Sequence, residues 1–257
     1  MRVKGDGPIP SRIMLVGEAP GENEEREGRP FVGASGMELN RMLHEVGSMR
    51  SEAYCTNVCK VRPPNNQISA FVARTKKEIT PAHTLMRDRY VTKEVTEGYA
   101  ELLTEIEMVQ PNIIVTFGNL AMWALTGNWA ILKWRGSLLT FYDTRLDLSE
   151  VALQDKLGIE PPKIIPTIHP ALILREWSNR AVVLNDLRRV KRHMTSRTYD
   201  NKPTWNFHVK PTYPDTIHTL EMLGTAAESQ PELCLDFDIE TRGKGHVYID
   251  CIGIGWS

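Results

Sequence analysis

Four short apolar runs in the chain each end on, or hold, a residue able to do polar chemistry. Glu18 follows residues 12–17 at once, Asn57 lies in 53–61, Asn119 comes directly after 112–118, and His169-Pro170 closes 163–170. Carboxylate, amide and imidazole are the groups with which proteins move protons and read polar ring edges. Glu18 also opens a glycine-containing stretch, GEAPGENEEREGRPFVG, that packs five glutamates ahead of Phe31. This is neither a phosphate loop, which needs Lys-Ser/Thr after its glycines, nor a GxGxxG fingerprint, and its acids would repel a phosphate. An acidic surface loop and the floor of a pocket for a flat ligand both remain open from these residues alone.

The elements that must position these groups follow from periodicity. The four runs are short and rich in Val and Ile, as buried strands are. Helical spacing fills the gaps: 33–47, with Met37, Leu39, Leu43 and Val46 near one face; 95–111, stopping at a proline; 119–127, ending on a glycine; and 179–194, amphipathic with a basic side. Strand alternating with helix predicts an α/β fold, a three-layer α/β/α sandwich with a central four-stranded parallel sheet. In such a sheet ligands bind outside the carboxyl ends of the strands, so Glu18, Asn57, Gly118-Asn119 and His169 are expected to converge on one rim. Residues 69–90 fit this scheme poorly and read as an inserted loop or a short helical excursion. Three prolines and little periodicity mark 198–215 as a linker, a helix-like piece follows at 216–228, and two strand-like runs in the tail suggest a hairpin. The expected division is a first domain over 1–197, a linker over 198–230 and a truncated fragment of a second domain over 231–257.

Composition narrows the function classes. With 257 residues, 41% hydrophobic and 25% charged, the chain has the composition of a soluble globular protein. A net charge of -1 gives no global pull towards nucleic acid or membrane, although residues 175–197 are locally basic. The N-terminus lacks the apolar core of a signal peptide and no window approaches a membrane span, so a cytoplasmic protein of a bacterium or host cell, not secreted and without a membrane partner, is expected. The four cysteines form no dense framework; Cys55 and Cys59 are four apart with no second pair near, and are better read as plain thiols than as metal ligands.

The ordered series GEAPGENEEREGRPFVGASG, YCTNVCKVRPPNN, FGNLAMWALTG, KWRGSLL, PTIHPALILREW and NDLRRVKRH resembles the family 4 branch of the uracil-DNA glycosylase superfamily, from about Arg12 to His193. The resemblance implies hydrolysis of the N-glycosidic bond of a uracil flipped out of DNA. It assigns Glu18 to the sugar, orienting water and stabilising an oxocarbenium-like centre, and His169 to the uracil oxygen where negative charge collects. It gives Phe31 the face of the base, Asn57 its edge, Glu24 the place that crowds the C5 methyl of thymine, and Ala19 and Gly21 the pocket floor. Ala171, Leu172, Ile173 and Leu174 would wedge into the duplex. Arg175, Arg188, Arg189, Lys191 and Arg192 would engage phosphates. Taken singly, Leu172 and Leu174 read equally well as core, Phe31 reads better as core than as a stacking platform, and His169 could be a plain strand-end residue; it is their order together that favours a site.

Departures from the family carry their own expectations. Family 4 enzymes usually hold a four-iron–four-sulfur cluster on four cysteines. Here the N-terminal pair is missing, the third and fourth positions align with Val61 and Gly98, and Cys55 and Cys59 do not substitute, so no iron–sulfur cluster and no other cofactor is expected. The 69–90 insertion lies between the two lost positions. In the tail, LDFDIET resembles the first motif of the 3′–5′ exonuclease that precedes the core of family A DNA polymerases. That resemblance implies Asp238 and Glu240 as partial ligands of a two-metal site, with Mg needed only by the complete exonuclease. It also implies that the remainder of a polymerase chain, of viral type, is a partner beside uracil-containing DNA. Two alternatives stand next to uracil excision: a catalytically inactive DNA-binding or partner-docking module of the polymerase, and a glycosylase for another modified pyrimidine.

Overall fold

A computed structural model describes residues 1–141, 160–198, 212–229, 235–242 and 248–256. The chain divides into two compact units, Met1–Asp200 and Asn201–Ser257. In the first unit β1 (Ile13–Gly17), α1 (Glu22–Glu27), α2 (Ala34–Glu45), β2 (Ala53–Asn57), β3 (His83–Met86), β4 (Arg89–Thr92), α3 (Lys93–Val109), β5 (Ile113–Phe117), α4 (Asn119–Thr126), α5 (Ile131–Trp134), β6 (Leu139–Thr140), β7 (Lys163–Thr167), α6 (Pro170–Ile173) and α7 (Arg180–His193) follow in order. The second unit holds α8 (Tyr213–Ser229) and an antiparallel pair, β8 (Leu235–Arg242) and β9 (Tyr248–Trp256). No helix among the described residues is long and apolar enough to cross a membrane.

The main sheet has the order β2-β1-β5-β7-β6. Its first four strands are parallel, with Ile13 level with Ala53 and Ile113, and Ile113 level with Lys163. Side chains alternate across a strand, and here the alternation separates two cores. Met14, Val16, Ile114 and Ile164 pack under α3 and α4 with Val95, Tyr99, Leu102 and Trp123. Ile13, Leu15, Val115 and Ile165 pack under α2 and α7 with Leu39, Met42, Leu43, Leu184 and Leu187. Every residue of the four parallel strands is buried, which is why their sequences are near-continuous apolar runs rather than alternating ones, with Thr56, Asn57, Thr116, Lys163 and Thr167 as buried polar exceptions. The strand order reverses at β1, flanked by β2 on one side and β5 on the other. This is the switch point where a crevice opens at the carboxyl edge.

Four details differ from the sequence-based expectation. The sheet carries a fifth, two-residue strand, β6, antiparallel to β7 and too short to leave a periodic signal. Residues 69–90 are more than an inserted loop or a short helical excursion: single 3-10 turns at Ile68–Ala70 and Lys76–Glu78 precede a hairpin of β3 and β4, and Val72 bridges to Val91. On α2 Met37 is exposed, while Met42 takes the core position and Glu38 is buried against Arg180 and Arg41. The stretch assigned to a linker contains the helix α8, which extends the helix-like piece in both directions. Residues 199–211 of that stretch, and Cys234, lie outside the described residues.

Candidate active site

At the carboxyl edge of the parallel strands lies a cleft of about 420 Å³. Glu18, Ala19, Gly21, Glu24, Phe31, Asn57, His169, Ala171, Leu172 and Arg175 all line it, together with Ser35, Pro63, Asn66 and Ile68. The residues singled out around the base and the sugar are thus brought to one place from the ends of three strands, β1, β2 and β7, and the loop after β1, whereas Asn119, after β5, does not line this cleft and its Oδ1 accepts from the Ile131 amide at 2.8 Å.

Glu18 stands directly after β1, and its Oε1 accepts a hydrogen bond from the Leu120 amide at 2.9 Å. That amide belongs to the first turn of α4, whose positive end faces the carboxylate. Gly118 makes this possible. It adopts φ 93°, and a Cβ there would lie 2.6 Å from Glu18 Oε1. A side chain would therefore strain the backbone and evict the carboxylate together.

Phe31 and Asn57 meet over Gly17. A Cβ on Gly17 would fall 2.3 Å from Asn57 Oδ1 and 2.9 Å from Phe31 Cζ. Phe31 has φ 54°, rare for a bulky residue and of the kind that clusters at functional sites. Its ring packs edge-on against Phe117, with centroids 5.7 Å apart, and lies nearly parallel to the His169 ring at 6.4 Å. The Asn57 side-chain amide makes no hydrogen bond among the described residues, so both its donor and its acceptor are available to the cleft. The backbone behind it is braced by a buried cluster. Lys60 Nζ donates to the Asn57 carbonyl at 2.9 Å, to Thr56 Oγ1 at 2.7 Å and to Glu105 Oε2 at 2.7 Å. Burial pulls the Lys60 ammonium below its usual range while Glu105 opposes that pull. Removing one partner of a buried pair leaves the other charge uncompensated, so Lys60→Met is expected to destabilise the fold by about 3 kcal/mol. Urea unfolding measures this, and a loss below about 1 kcal/mol would show that the brace does not hold the strand end.

Glu24 has a task that sequence reasoning missed. Its Oε1 accepts from the Val32 amide at 3.0 Å and the Gly33 amide at 2.8 Å, and its Oε2 from the Gly21 amide at 3.1 Å. Both oxygens are thereby committed to the loop that presents Phe31, so the carboxylate works first as a clasp. Truncation removes charge-assisted bonds to three buried or half-buried amides. Glu24→Ala is expected to cost about 2 kcal/mol or more of stability, read by denaturant titration. A variant as stable as the parent that merely accepts 5-methylated bases would return Glu24 to the C5 position alone.

His169 caps the short helix α6, with Nδ1 accepting from the Ala171 amide at 3.1 Å. In the neutral ring this leaves the proton on Nε2 as the donor. Burial holds the imidazole below its ordinary value; Glu18 and Glu24 pull the other way without reversing the shift, and Arg175 adds to it.

The predicted wedge is only partly available. Leu174 is exposed and Ala171 and Leu172 are half-buried, but Ile173 is 1% exposed and packs with Leu184 and Leu187 in the core. In this four-residue helix Pro170 and Ile173, three apart and so on one face, are the residues turned inward. Beside Leu174 the sequence reading passed over Trp177, which is exposed and stacked on Arg180 at 5.2 Å. An isolated tryptophan among polar residues was the signal for it. Arg175, Arg188, Arg189 and Arg192 are exposed. Lys191 instead donates to the carbonyls of Val46 and Gly47 at 3.2 Å, closing the end of α2.

The residues present do not fit a four-thiolate cluster. Val61 packs against the core, and a side chain at Gly98 would meet the Val58 carbonyl at 2.2 Å. Cys55 and Cys59 are buried, and burial pushes the Cys55 thiol up to about 12 and raises Cys59 as well. Among the described residues no group of three or more His, Cys, Asp or Glu is placed to hold a metal ion. In the second unit Asp238 and Glu240 stand two apart on β8, level with Gly253 and Cys251 of β9.

Comparison with known proteins gives the family. The profile of the uracil DNA glycosylase superfamily matches residues 4–190. The type-4 uracil-DNA glycosylase of Thermotoga maritima is 35% identical over 193 residues, covering 74% of this chain and 81% of that protein. The one from Saccharolobus solfataricus is 32% identical over 209 residues, covering 77% and 80%. A DNA polymerase of Bacillus phage SP01 is 30% identical over 186 residues, which span 72% of this chain and 16% of the polymerase.

Proposed function

The chain belongs to the uracil-DNA glycosylase superfamily, and from that premise we propose that it hydrolyses the N-glycosidic bond of a uracil flipped out of DNA. The observation that carries this is the meeting of Glu18, Phe31, Asn57 and His169 in one cleft. The flipped ring stacks on Phe31, and the free Asn57 amide pairs with the uracil O4 and N3–H. As the bond from C1′ to N1 breaks, its electron pair leaves with the base. His169 Nε2–H donates to the uracil oxygen on which that charge gathers. Glu18, held by the Leu120 amide, faces the cationic sugar and orients the water that adds to C1′. The products are free uracil and an abasic site. The step requires neither a metal nor a covalent lysine adduct.

Similarity to a phage polymerase supports a finer reading, in which this glycosylase unit works as part of a polymerase. Asp238 and Glu240 then belong to a 3′–5′ exonuclease whose ion is Mg. The test is direct: the chain is incubated with uracil-containing single- and double-stranded oligonucleotides, and free uracil and alkali-labile sites are measured. Release of uracil from either supports hydrolysis. Tight, uracil-dependent binding with no abasic product would overturn it in favour of a non-cutting module.

A further inference from the structure

A second cleft opens on the other side of Glu18. It holds about 500 Å³, and Glu18 and Ile68 belong to the walls of both clefts. Its walls include Arg74 and Arg89, from the 69–90 insertion, and Trp129, from the loop after α4. The insertion is fixed to the body of the fold. Phe71, Val72 and Val91 are buried in the core, the Trp123 indole donates to Asp88 Oδ1 at 2.7 Å, and Arg87 donates to the Trp123 carbonyl.

This anchoring sets the Arg89 guanidinium over Trp129, its central carbon 3.8 Å from the ring centroid. The Nε of Arg89 is buried with no hydrogen-bond partner among the described residues, and its ion pair to Asp88 is long, at 3.8 Å. At the rim Arg74 is exposed and its guanidinium makes no ion pair among the described residues, while Lys76 and Lys77 stand exposed in the next turn. A planar cation on an indole, with an apolar wall and a fringe of positive charge, is the make-up of a single-strand nucleic-acid site: a surface for stacking and charges that follow the backbone.

We propose that this cleft receives the nucleotide adjoining the flipped uracil on the same strand, its base against the Arg89–Trp129 face and its phosphate towards Arg74, Lys76 and Lys77. The inference rests on the reading that the first cleft holds uracil with its sugar at Glu18, because the backbone leaving that sugar then enters the cleft that shares Glu18. The Glu18 carboxylate repels phosphate at the junction, which sends the phosphate to the Arg74 end. A base lodged here is unstacked and unpaired, so the chain prefers uracil in single strands.

The experiment measures fluorescence anisotropy of a short single-stranded oligonucleotide with a central uracil, bound to the full chain carrying Glu18→Gln. The base on each side of the uracil is replaced in turn by a tetrahydrofuran spacer. The spacer on one side is expected to weaken binding about tenfold, and Arg89→Ala to lose a similar factor and to become indifferent to that spacer. Arg74→Ala, on the exposed rim where folding is not at risk, is expected to reduce the slope of log affinity against log salt by about 0.7. A spacer that costs the same with and without Arg89, or an Arg89→Ala loss equal for duplex and single strand, overturns the proposal. Uracil release by the parent chain, followed in parallel, separates the two readings. Release without spacer coupling sinks the second cleft alone, and spacer coupling without release sinks hydrolysis alone.

Discussion

Glu18→Gln is expected to lower single-turnover uracil release by about three orders of magnitude while the uracil-containing strand stays bound at least as tightly. The amide is nearly isosteric with the carboxylate, and its oxygen can still accept from the Leu120 amide, so the cleft keeps its shape. What disappears is the negative charge facing the cationic sugar and the ability to orient water as a base. Binding holds or improves because a charge that repels phosphates has gone. The measurement is rapid-quench release from excess enzyme together with anisotropy on the same oligonucleotide. A fall in release matched by an equal fall in binding would mean that Glu18 shapes the cleft rather than acting on the reaction. Unchanged release would remove it from the chemistry.

The second large effect concerns His169. His169→Ala is expected to slow release by two to three orders of magnitude, roughly what one donor to a developing anion contributes. Its pH behaviour is the sharper test. The neutral ring uses Nδ1 to accept from Ala171 and Nε2–H to donate into the cleft. A second proton would have to sit on Nδ1, against the Ala171 N–H, and would break the cap that shapes the loop. Since burial lowers the folded value below the ordinary 6.5, the rate is expected to be level above neutrality. It falls only as pH drops through the depressed value. Stability follows the same sign: with a folded value below the unfolded one, the contribution is fully present above about 6.5 and is lost as pH falls from there towards the folded value. His169→Ala removes that part of the acid sensitivity. Melting temperatures of parent and variant at pH 5 and pH 8 measure it, and equal acid losses in both would place the titration elsewhere.

The parallel strands and the polar residues at their ends were legible in the sequence for one physical reason. A strand buried on both faces is mostly apolar, so a carboxylate, amide or imidazole at its end stands out at the carboxyl rim. Glu18 and His169 stand out in this way, and Asn57 closes its strand at the same edge. Legibility failed where partners lie far along the chain or where elements are short. Glu24 bonds residues eight and nine positions ahead, across a loop whose path no local pattern discloses. The β3–β4 hairpin is half-exposed and carries His, Arg and Thr in place of a clean alternation, so its pairing with Val72 was hidden. Ile173 sits in a single helical turn, too short for periodicity to tell inward from outward. Lys60 reads as a surface cation until the fold brings Glu105 to it.

Gly17 and Gly118 bear on how this site can be mapped at all. Substitution by alanine finds the groups that contribute through what they carry, and it would register Glu18, Asn57 and His169. At the two glycines the contribution is an unfilled volume, the 2.3 Å and 2.6 Å separations that a methyl group would claim from Asn57 and Glu18. There the same alanine substitution adds an atom instead of removing any, so a loss at either position reports an occupied volume and not a missing group. In a drifting lineage the two glycines are the residues from which the smallest change, a gain of one carbon, disarms the pocket by displacing its reactive groups while leaving every one of them in the sequence.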